Sequence, residues 1–510
     1  MRMGIIYLVG SGPGDPGLIT VKAAELLMAA DVVVYDWLAP KELLSWCRED
    51  AELIYVGKKG GDHTLPQDQI NELLVKKAGE GHEIIVRLKG GDPYMFGRGA
   101  EEAEELVKAG VPFEVVPGVT SATAATAYAG IPLTHRDYAS SVSFITGHEG
   151  EGKEETALRW ESLAKGTSTL VFFMGVKNLP SITQNLIDHG MDPDMPAALV
   201  HWGTTCRQRS FVSTVAKIAA EAKSLGYTPP SLLVVGKVCL LKPKLDWFEH
   251  RPLLGRGVVV TRAREQASDL LASLQNLGAC AYEFPTITIE PLDDYGPLED
   301  AILRLQEYDW LVFTSVNGVE FFFKVLHEIG LDARALGGLE VAAIGPATAE
   351  RLTSFGILPD FVPEKYVAEH VVQGLLELEI KGKKVLIPRA EKAREVLPEE
   401  LAKAGAQVDV LPVYRTSLAA SDPEEIRKAL TEERIDYVTF TSSSTVDNFF
   451  KLIPPEEVRK HLGHLRLACI GPITAKTLQG HGFEAHIQPE EFTIPALVQA
   501  LLDDAAKPKE

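Results

Sequence analysis

At 510 residues, 45% of them hydrophobic, the chain is too long for one ordinary domain and holds material for two or three cores. Its 51 basic and 71 acidic side chains leave a net charge of −20, which disfavours a nucleic-acid partner while still allowing arginines clustered in one cleft to hold a small polyanion. Five scattered cysteines (Cys47, Cys206, Cys239, Cys280, Cys469) form no CxxC pair, so reduced thiols and no structural metal are expected, and no apolar run is long enough for a signal core or a membrane span, so a cytoplasmic protein without a membrane partner is expected.

In chain order, Ile5 to Val9 predicts a short buried strand, followed by Gly10-Ser-Gly-Pro-Gly-Asp-Pro-Gly17 and a helical pattern from Leu18 to Met28. Val32-Val-Val-Tyr-Asp36 and Tyr55-Val-Gly-Lys58 each place an ionisable residue after an apolar strand. Ile84, Ile85 and Val86 predict a further buried strand, which runs into Val86-Arg-Leu-Lys-Gly-Gly-Asp-Pro-Tyr-Met-Phe-Gly-Arg-Gly99. At Gly90, Gly91 and Asp92 the backbone must turn sharply and leave amides uncovered. A tight surface turn explains an isolated Gly-Gly-Asp, but two glycine-rich loops at strand ends point to one crevice of an α/β domain. Pro117-Gly118 and Pro229-Pro230 punctuate further loops, and strands alternate with helical stretches through Val234, so the first half reads as two small α/β lobes. The segment Leu241-Lys-Pro-Lys-Leu-Asp-Trp-Phe-Glu-His-Arg-Pro252 breaks the pattern, and a new strand begins at Gly257-Val-Val-Val-Thr-Arg262; the domain junction is placed between them.

The second half contains an internal duplication. Phe313, Thr314 and Arg262 recur as Phe440, Thr441 and Arg389, each 127 residues on. Tyr308-Asp-Trp-Leu-Val-Phe-Thr-Ser matches Ile435-Asp-Tyr-Val-Thr-Phe-Thr-Ser, and Ile344-Gly-Pro-Ala-Thr-Ala matches Ile470-Gly-Pro-Ile-Thr-Ala at a spacing one residue shorter. Each copy predicts an apolar strand ending in hydroxyls, a helix, and a second strand ending at a helix start. Thr314, Ser315, Thr441 and Ser442 suit helix capping, and hydroxyls and free amides at helix N-termini also attract anions. Two similar lobes lining one cleft are expected.

With Gly10 to Gly17, Val86 to Gly99, Val116-Pro-Gly-Val-Thr-Ser121 and Pro132-Leu-Thr-His-Arg-Asp-Tyr138 in order, residues 1–245 resemble uroporphyrinogen-III C-methyltransferase. Residues 257–502 resemble uroporphyrinogen-III synthase through the paired Thr-Ser and Gly-Pro-x-Thr-Ala motifs and Val413-Tyr-Arg-Thr416, with 246–256 as a linker. The resemblance implies an α/β chain: an N-terminal two-lobed tetrapyrrole methylase fold, then a pair of similar doubly wound lobes, lobe A being 257–290 plus 416–502 and lobe B 291–415. It implies cyclisation of hydroxymethylbilane to uroporphyrinogen III with inversion of the last ring, then methylation at C2 and C7 by S-adenosylmethionine to give precorrin-2. A homodimer through the first half is also implied.

By the same resemblance the methyl donor is held at Pro13, Gly90, Gly91, Asp92, Met95, Thr120, Ser121, Met174 and Gly203, although the run around Met174 reads as core by composition. Asp36 and Lys58 are implied as acid–base residues; without it they read as a helix cap and a solvated lysine. Arginine forks suit the eight carboxylates of the substrate, and Arg98, Arg136, Arg207 and Arg209 are candidates in the first half. In the second half Tyr414 is implied as the acid for the departing hydroxide. Thr314, Ser315, Thr348, Thr441, Ser442, Ser443 and Thr474 are candidate donors to substrate carboxylates, together with Arg262 and Arg389.

A diphthine-type or other tetrapyrrole methylase would share the glycine loops but is disfavoured by the Arg-Leu-Lys-Gly-Gly-Asp-Pro run. Nicotinamide binding at Gly10 to Gly17 lacks an acidic ribose partner after the second strand. Some similar enzymes carry a dehydrogenase and ferrochelatase module ahead of the methyltransferase; this chain begins at the methyltransferase strand, so neither activity is expected. From another class, the duplicated half could be a noncatalytic tetrapyrrole sensor.

Overall fold

The computed structural model describes residues 3–57, 65–147, 158–363, 368–378, 380–393 and 395–507. The chain forms two compact units, one of Met1–Gly255 with Leu277–Cys280, the other of Arg256–Asn276 with Ala281–Glu510.

The first unit holds two five-stranded sheets. Strands β1 (Ile5–Gly10), β2 (Val32–Tyr35), β3 (Glu52–Tyr55), β4 (Ile84–Lys89) and β5 (Phe113–Val116) form an all-parallel sheet in the order β3-β2-β4-β1-β5. The mostly apolar, buried runs of β1, β2 and β4 reflect cover on both faces at the centre of the sheet. Ile6, Leu8, Val32 and Val34 pack with Leu74 and Leu106 on one side, and Val9, Val33, Val86 and Leu88 with Leu27 and Leu43 on the other. The first long helix starts at Val21 rather than Leu18, because Thr20 caps it by accepting from the Ala23 amide at 3.3 Å.

The second sheet joins β6 (Val142–Thr146), β7 (Thr169–Phe173), β8 (Pro196–His201), β9 (Arg209–Thr214) and β10 (Ser231–Val235) in the order β6-β7-β10-β8-β9. Only β6 and β7 pair in parallel. The small side chains Ala122 and Ala125 of helix Ser121–Tyr128, which follows β5, are buried with Val171, Ala198, Val200 and Val234 of this sheet, so that helix joins the two lobes.

The second unit repeats one plan. Strands β11 (Gly257–Val260), β12 (Cys280–Glu283), β18 (Tyr437–Phe440) and β19 (Arg466–Cys469) form the sheet β12-β11-β18-β19. Strands β13 (Ile287–Glu290), β14 (Trp310–Phe313), β15 (Glu340–Ala343), β16 (Lys384–Ala390) and β17 (Gln407–Leu418) form β13-β17-β16-β14-β15. With β13 set aside the two orders correspond strand for strand. Details repeat as well: a parallel bridge ties Ala342 to Phe361 and another ties Ala468 to Ile487.

Two expectations are corrected. Residues 287–290 and 416–418, placed in lobe A, hydrogen-bond in the sheet of lobe B, where Ile287 pairs with Leu418 and Ile289 with Thr416 in an antiparallel ladder. The chain therefore crosses at 284–286 and returns at 419–421, and these crossings bond to each other: the Ala419 amide donates to Thr286 O at 3.2 Å and Ser421 Oγ to Pro285 O at 2.6 Å. The thiols are not all free. Cys206 and Cys280, 74 residues apart, form a disulfide with Cα atoms 5.2 Å apart, a pairing that no local spacing announces. Cys47, Cys239 and Cys469 are free.

Candidate active sites

In the first unit the loops leaving β1, β4 and β5 meet main chain to main chain. A Cβ on Gly10 would lie 2.5 Å from Gly118 Cα, and one on Gly118 only 2.2 Å from Gly91 O, so no side chain fits at either place. Gly12 and Gly91 exchange two backbone hydrogen bonds, 3.2 and 2.7 Å, with φ of +79° and +72° that favour glycine. Asp92 clasps this arrangement, accepting from the Tyr94 amide at 2.8 Å and the Gly118 amide at 3.0 Å. Gly90 lies against Leu38, where a Cβ would come within 2.5 Å of the leucine Cβ. Thr120 and Ser121 open the helix that follows β5, and Thr120 does not cap it with its side chain.

Loops of the second lobe come against the first of these, the loop leaving β1. The Thr204 hydroxyl accepts from the Asp15 amide at 3.1 Å, while a Cβ on Gly14 would meet Thr205 Cγ2 at 2.6 Å and one on Gly203 would meet Ala125 Cβ at 2.2 Å. Pro13 to Asp15 and Gly203 to Thr205 are thus neighbouring loops. Met95 packs against the cluster that joins the lobes. Met174, which composition assigned to the core, is 52% exposed just past β7 at φ 55°. Trp202 and Thr204 also hold left-handed backbone, at φ 47° and 69°, a strain of order 1–3 kcal/mol each. Trp37 meets Trp202 edge-on, with ring centroids 5.4 Å apart.

Asp36 follows β2 and is neither a plain cap nor a free acid. Its Oδ1 accepts from the Leu38 amide at 3.2 Å and its Oδ2 lies 3.4 Å from Arg87 Nη2. Arg87 belongs to a buried cluster in which Glu102 Oε1 accepts from Arg87 Nε at 3.2 Å, Lys89 Nζ at 2.7 Å and Gln67 Nε2 at 3.1 Å. Glu102 Oε2 is buried without a partner. Burial and the neighbouring Arg87 charge hold the Lys89 ammonium below the usual lysine value, against the pull of Glu102. Sequence reasoning missed this cluster, although two cations inside the apolar strand Ile-Ile-Val-Arg-Leu-Lys were a signal. Lys58 lies outside the described residues.

The arginine candidates of this unit diverge. Arg98 is exposed and pairs with Glu101 at 2.6 Å; Arg136 is exposed. Arg207 lies over the Trp202 ring at 5.2 Å. Arg209 donates to Leu225 O at 3.1 Å and Gly226 O at 2.7 Å, which occupies it within its own lobe.

In the second unit the hydroxyl pairs end β14 and β18. Ser315 caps helix Val316–Glu328 by accepting from the Gly318 amide at 3.0 Å, and Ser442 forms a capping box with Thr445 at the head of helix Ser443–Leu452. Ser443 accepts from Thr477 Oγ1 at 2.8 Å. Thr348 and Thr474 are buried in the helices that follow β15 and β19, and Thr314 and Thr441 are half-buried at the strand ends. Capping thus engages Ser315 and Ser442, one of each pair.

Tyr414 is placed by a bulge. The β16–β17 register shifts after Arg389, which pairs with Pro412, so that Ala390 faces Tyr414 and Val413 is skipped. The Val413 carbonyl accepts from Tyr295 Oη at 3.0 Å. Buried Tyr414 shares a 3.2 Å hydrogen bond with Ser315 Oγ and stacks on Phe321, with ring centroids 5.7 Å apart. Burial raises its phenol above the ordinary value, against hydrogen bonds from Ser315 and Asn317. Tyr295, Asn317 and Phe321 were not foreseen. Arg389 is buried and paired with Glu395; Arg262 is half-buried past β11, and burial lowers its value.

Residues 5–219 match the family of tetrapyrrole (corrin/porphyrin) methylases and residues 268–499 that of uroporphyrinogen-III synthase HemD. These matches define a two-enzyme chain, a tetrapyrrole methyltransferase followed by a uroporphyrinogen-III synthase. The porphyrin biosynthesis protein HemD of Ruminiclostridium josui is 40% identical over 506 residues, covering 99% of this chain and 98% of that one. A uroporphyrinogen-III C-methyltransferase of Bacillus subtilis is 50% identical over 247 residues, covering 48% of this chain and 95% of that one. The solved uroporphyrin III C-methyl transferase of Thermus thermophilus is 38% identical, with a TM-score of 0.40 over 46% of this chain and 93% of that one. The chain belongs to the family of fused porphyrin biosynthesis proteins in which methyltransferase and synthase share one polypeptide.

Proposed function

We propose that the second unit closes hydroxymethylbilane to uroporphyrinogen III with inversion of the last ring, and that the first methylates the product at C2 and C7 to precorrin-2. The observation that carries the reading is the meeting of bare main chain at Gly10, Gly91 and Gly118, which suits a ligand read through amides and carbonyls. The residues fit S-adenosylmethionine: Pro13, Gly90, Gly91, Asp92, Met95, Thr120, Ser121, Met174 and Gly203 would hold it, with Asp92 acting by fixing the loops. When bound, that donor supplies a methyl group on a sulfonium whose charge vanishes as the pyrrole carbon attacks. C2 and C7 carry a side chain and no hydrogen, so the proton lost after methylation leaves a pyrrole nitrogen or a bridging carbon; Asp36, oriented by Leu38 N and Arg87, takes it up, with Lys58 as its counterpart. Arg98, Arg136 and Arg207 remain candidates for the substrate carboxylates.

In the second unit Tyr414 donates its proton to the departing hydroxide, a role suited to a phenol that burial keeps protonated. Thr314, Ser315, Thr348, Thr441, Ser442, Ser443 and Thr474, with Arg262 and Arg389, offer donors to the carboxylates. Selectivity then comes from which carbon is held for attack. The proposal includes a homodimer through the first unit and a cytoplasmic setting; among the described residues no helix is long and apolar enough to cross a membrane.

Incubating the purified chain with hydroxymethylbilane tests both halves. The type III isomer is expected without S-adenosylmethionine and a dimethylated product with it. The type I isomer alone would instead make the second unit a noncatalytic binder.

A further inference from the structure

We infer that residues 246–251, expected as a linker, are a strap that fixes the Pro13–Asp15 loop, and that Tyr128, Gln208 and Glu249 are positioning residues for the methyl donor; this rests on the reading of that loop as part of the donor cradle. Two routes run from the strap and converge on Asp15. In the first, Trp247 and Phe248 close on Tyr128, with ring centroids 4.9 and 4.8 Å away, and Trp247 Nε1 donates to Ala127 O at 3.1 Å. The Tyr128 hydroxyl donates to Asp15 Oδ2 at 2.6 Å. In the second, Glu249 Oε1 accepts from Gln208 Nε2 at 3.0 Å, Gln208 Oε1 accepts from the Thr204 amide at 2.7 Å, and Thr204 Oγ1 accepts from the Asp15 amide at 3.1 Å.

The strap is itself anchored. Lys242 Nζ reaches Asp246 at 2.5 Å and Glu249 at 3.2 Å, Ser210 Oγ donates to Glu249 at 2.5 Å, and Arg251 covers the Phe248 ring at 4.6 Å. A Cβ on Gly130, which is left-handed just past the helix that carries Tyr128, would come within 2.5 Å of Asp246 N, so the strap lies directly on that turn. Gln208 and Thr204 are each 4% exposed, and in such a dry network a lost partner is felt along the whole chain of bonds. Asp15 turns this grip into loop shape: its other oxygen accepts from the Gly17 amide at 2.8 Å, closing the glycine-rich segment.

The test uses the full chain with Tyr128→Phe, which keeps the ring packing and removes one hydroxyl, and with Glu249→Ala. Calorimetry with S-adenosylhomocysteine as probe is expected to show Kd raised about tenfold in each, the scale of one charge-assisted hydrogen bond. Amide exchange at residues 14–17 in the ligand-free protein is expected to quicken, while ring closure keeps its rate. Unchanged Kd and unchanged exchange in a folded Tyr128→Phe protein would overturn the strap, even if its Tm fell. A wild-type chain that does not bind the probe would overturn the cradle reading instead, and the exchange measurement then still decides whether the strap holds the loop.

Discussion

Replacing Glu102 by leucine removes the one carboxylate that joins Arg87, Lys89 and Gln67, at 3.2, 2.7 and 3.1 Å, inside a cluster sealed from water. Arg87 is 2% exposed, Lys89 4% and Glu102 0%, so neither cation can turn to solvent without opening the sheet. Asp36 then remains as the nearby anion, 3.4 Å from Arg87. Breaking a buried pair from one side costs about 3–5 kcal/mol, because the surviving charge keeps its desolvation penalty. For a unit of this size each kcal/mol lowers Tm by about 2–4 °C, so the first transition is expected to fall by roughly 6–20 °C. Scanning calorimetry of the full chain measures it. Adding Lys89→Met to Glu102→Leu restores charge balance around Arg87 and Asp36 and is expected to recover most of the loss. A single variant that melts within about 2 °C of the parent, or a double variant that melts lower still, would refute the account.

The depressed Lys89 value gives a pH test. Between that value and the ordinary 10.5 the folded lysine is neutral and the unfolded one protonated, so stability from this group rises with pH in that window and is lower beneath it. Lys89→Met should flatten the rise relative to the parent, and parallel curves would contradict it. Gly118→Ala, whose Cβ would fall 2.2 Å from Gly91 O, should weaken S-adenosylmethionine binding by at least about tenfold while ring closure continues; an unchanged Kd counts against the main-chain cradle. Tyr414→Phe should slow ring closure roughly 100-fold or more and leave methylation of supplied uroporphyrinogen III intact; a wild-type-like closure rate removes Tyr414 as the acid. Thiol titration of the unfolded, unreduced chain should count Cys47, Cys239 and Cys469 and no others, and five thiols would disprove the Cys206–Cys280 bond.

The glycine loops were legible because their chemistry is local: Gly12 and Gly91 need left-handed backbone, and glycine after an apolar strand announces this in the residue string. The repeat was legible for the same reason, each copy bringing its strand, cap and Gly-Pro start in fixed order. What stayed hidden depends on partners far apart in the chain. Gly118 looked like loop punctuation until Gly10 and Gly91 came against it, and nothing in the residues around Glu102 announces that two strand cations reach it. The bulge at Val413 follows from pairing with Arg389 and Ala390, which apolar alternation does not encode. Met174 misled for the opposite reason: it ends an apolar run, yet positive φ turns it outward where the strand stops.

The two copies in the duplicated half are unequal at Tyr414. Counting back 127 residues from Tyr414 leads to Ile287, an apolar residue that the crossing at 284–286 has already carried out of its own lobe to pair with Leu418. A vessel with true twofold likeness would accept a linear four-ring chain in either direction and end the reaction at either terminus. With Tyr414 as the proposed acid, that inequality gives the guest a head and a tail.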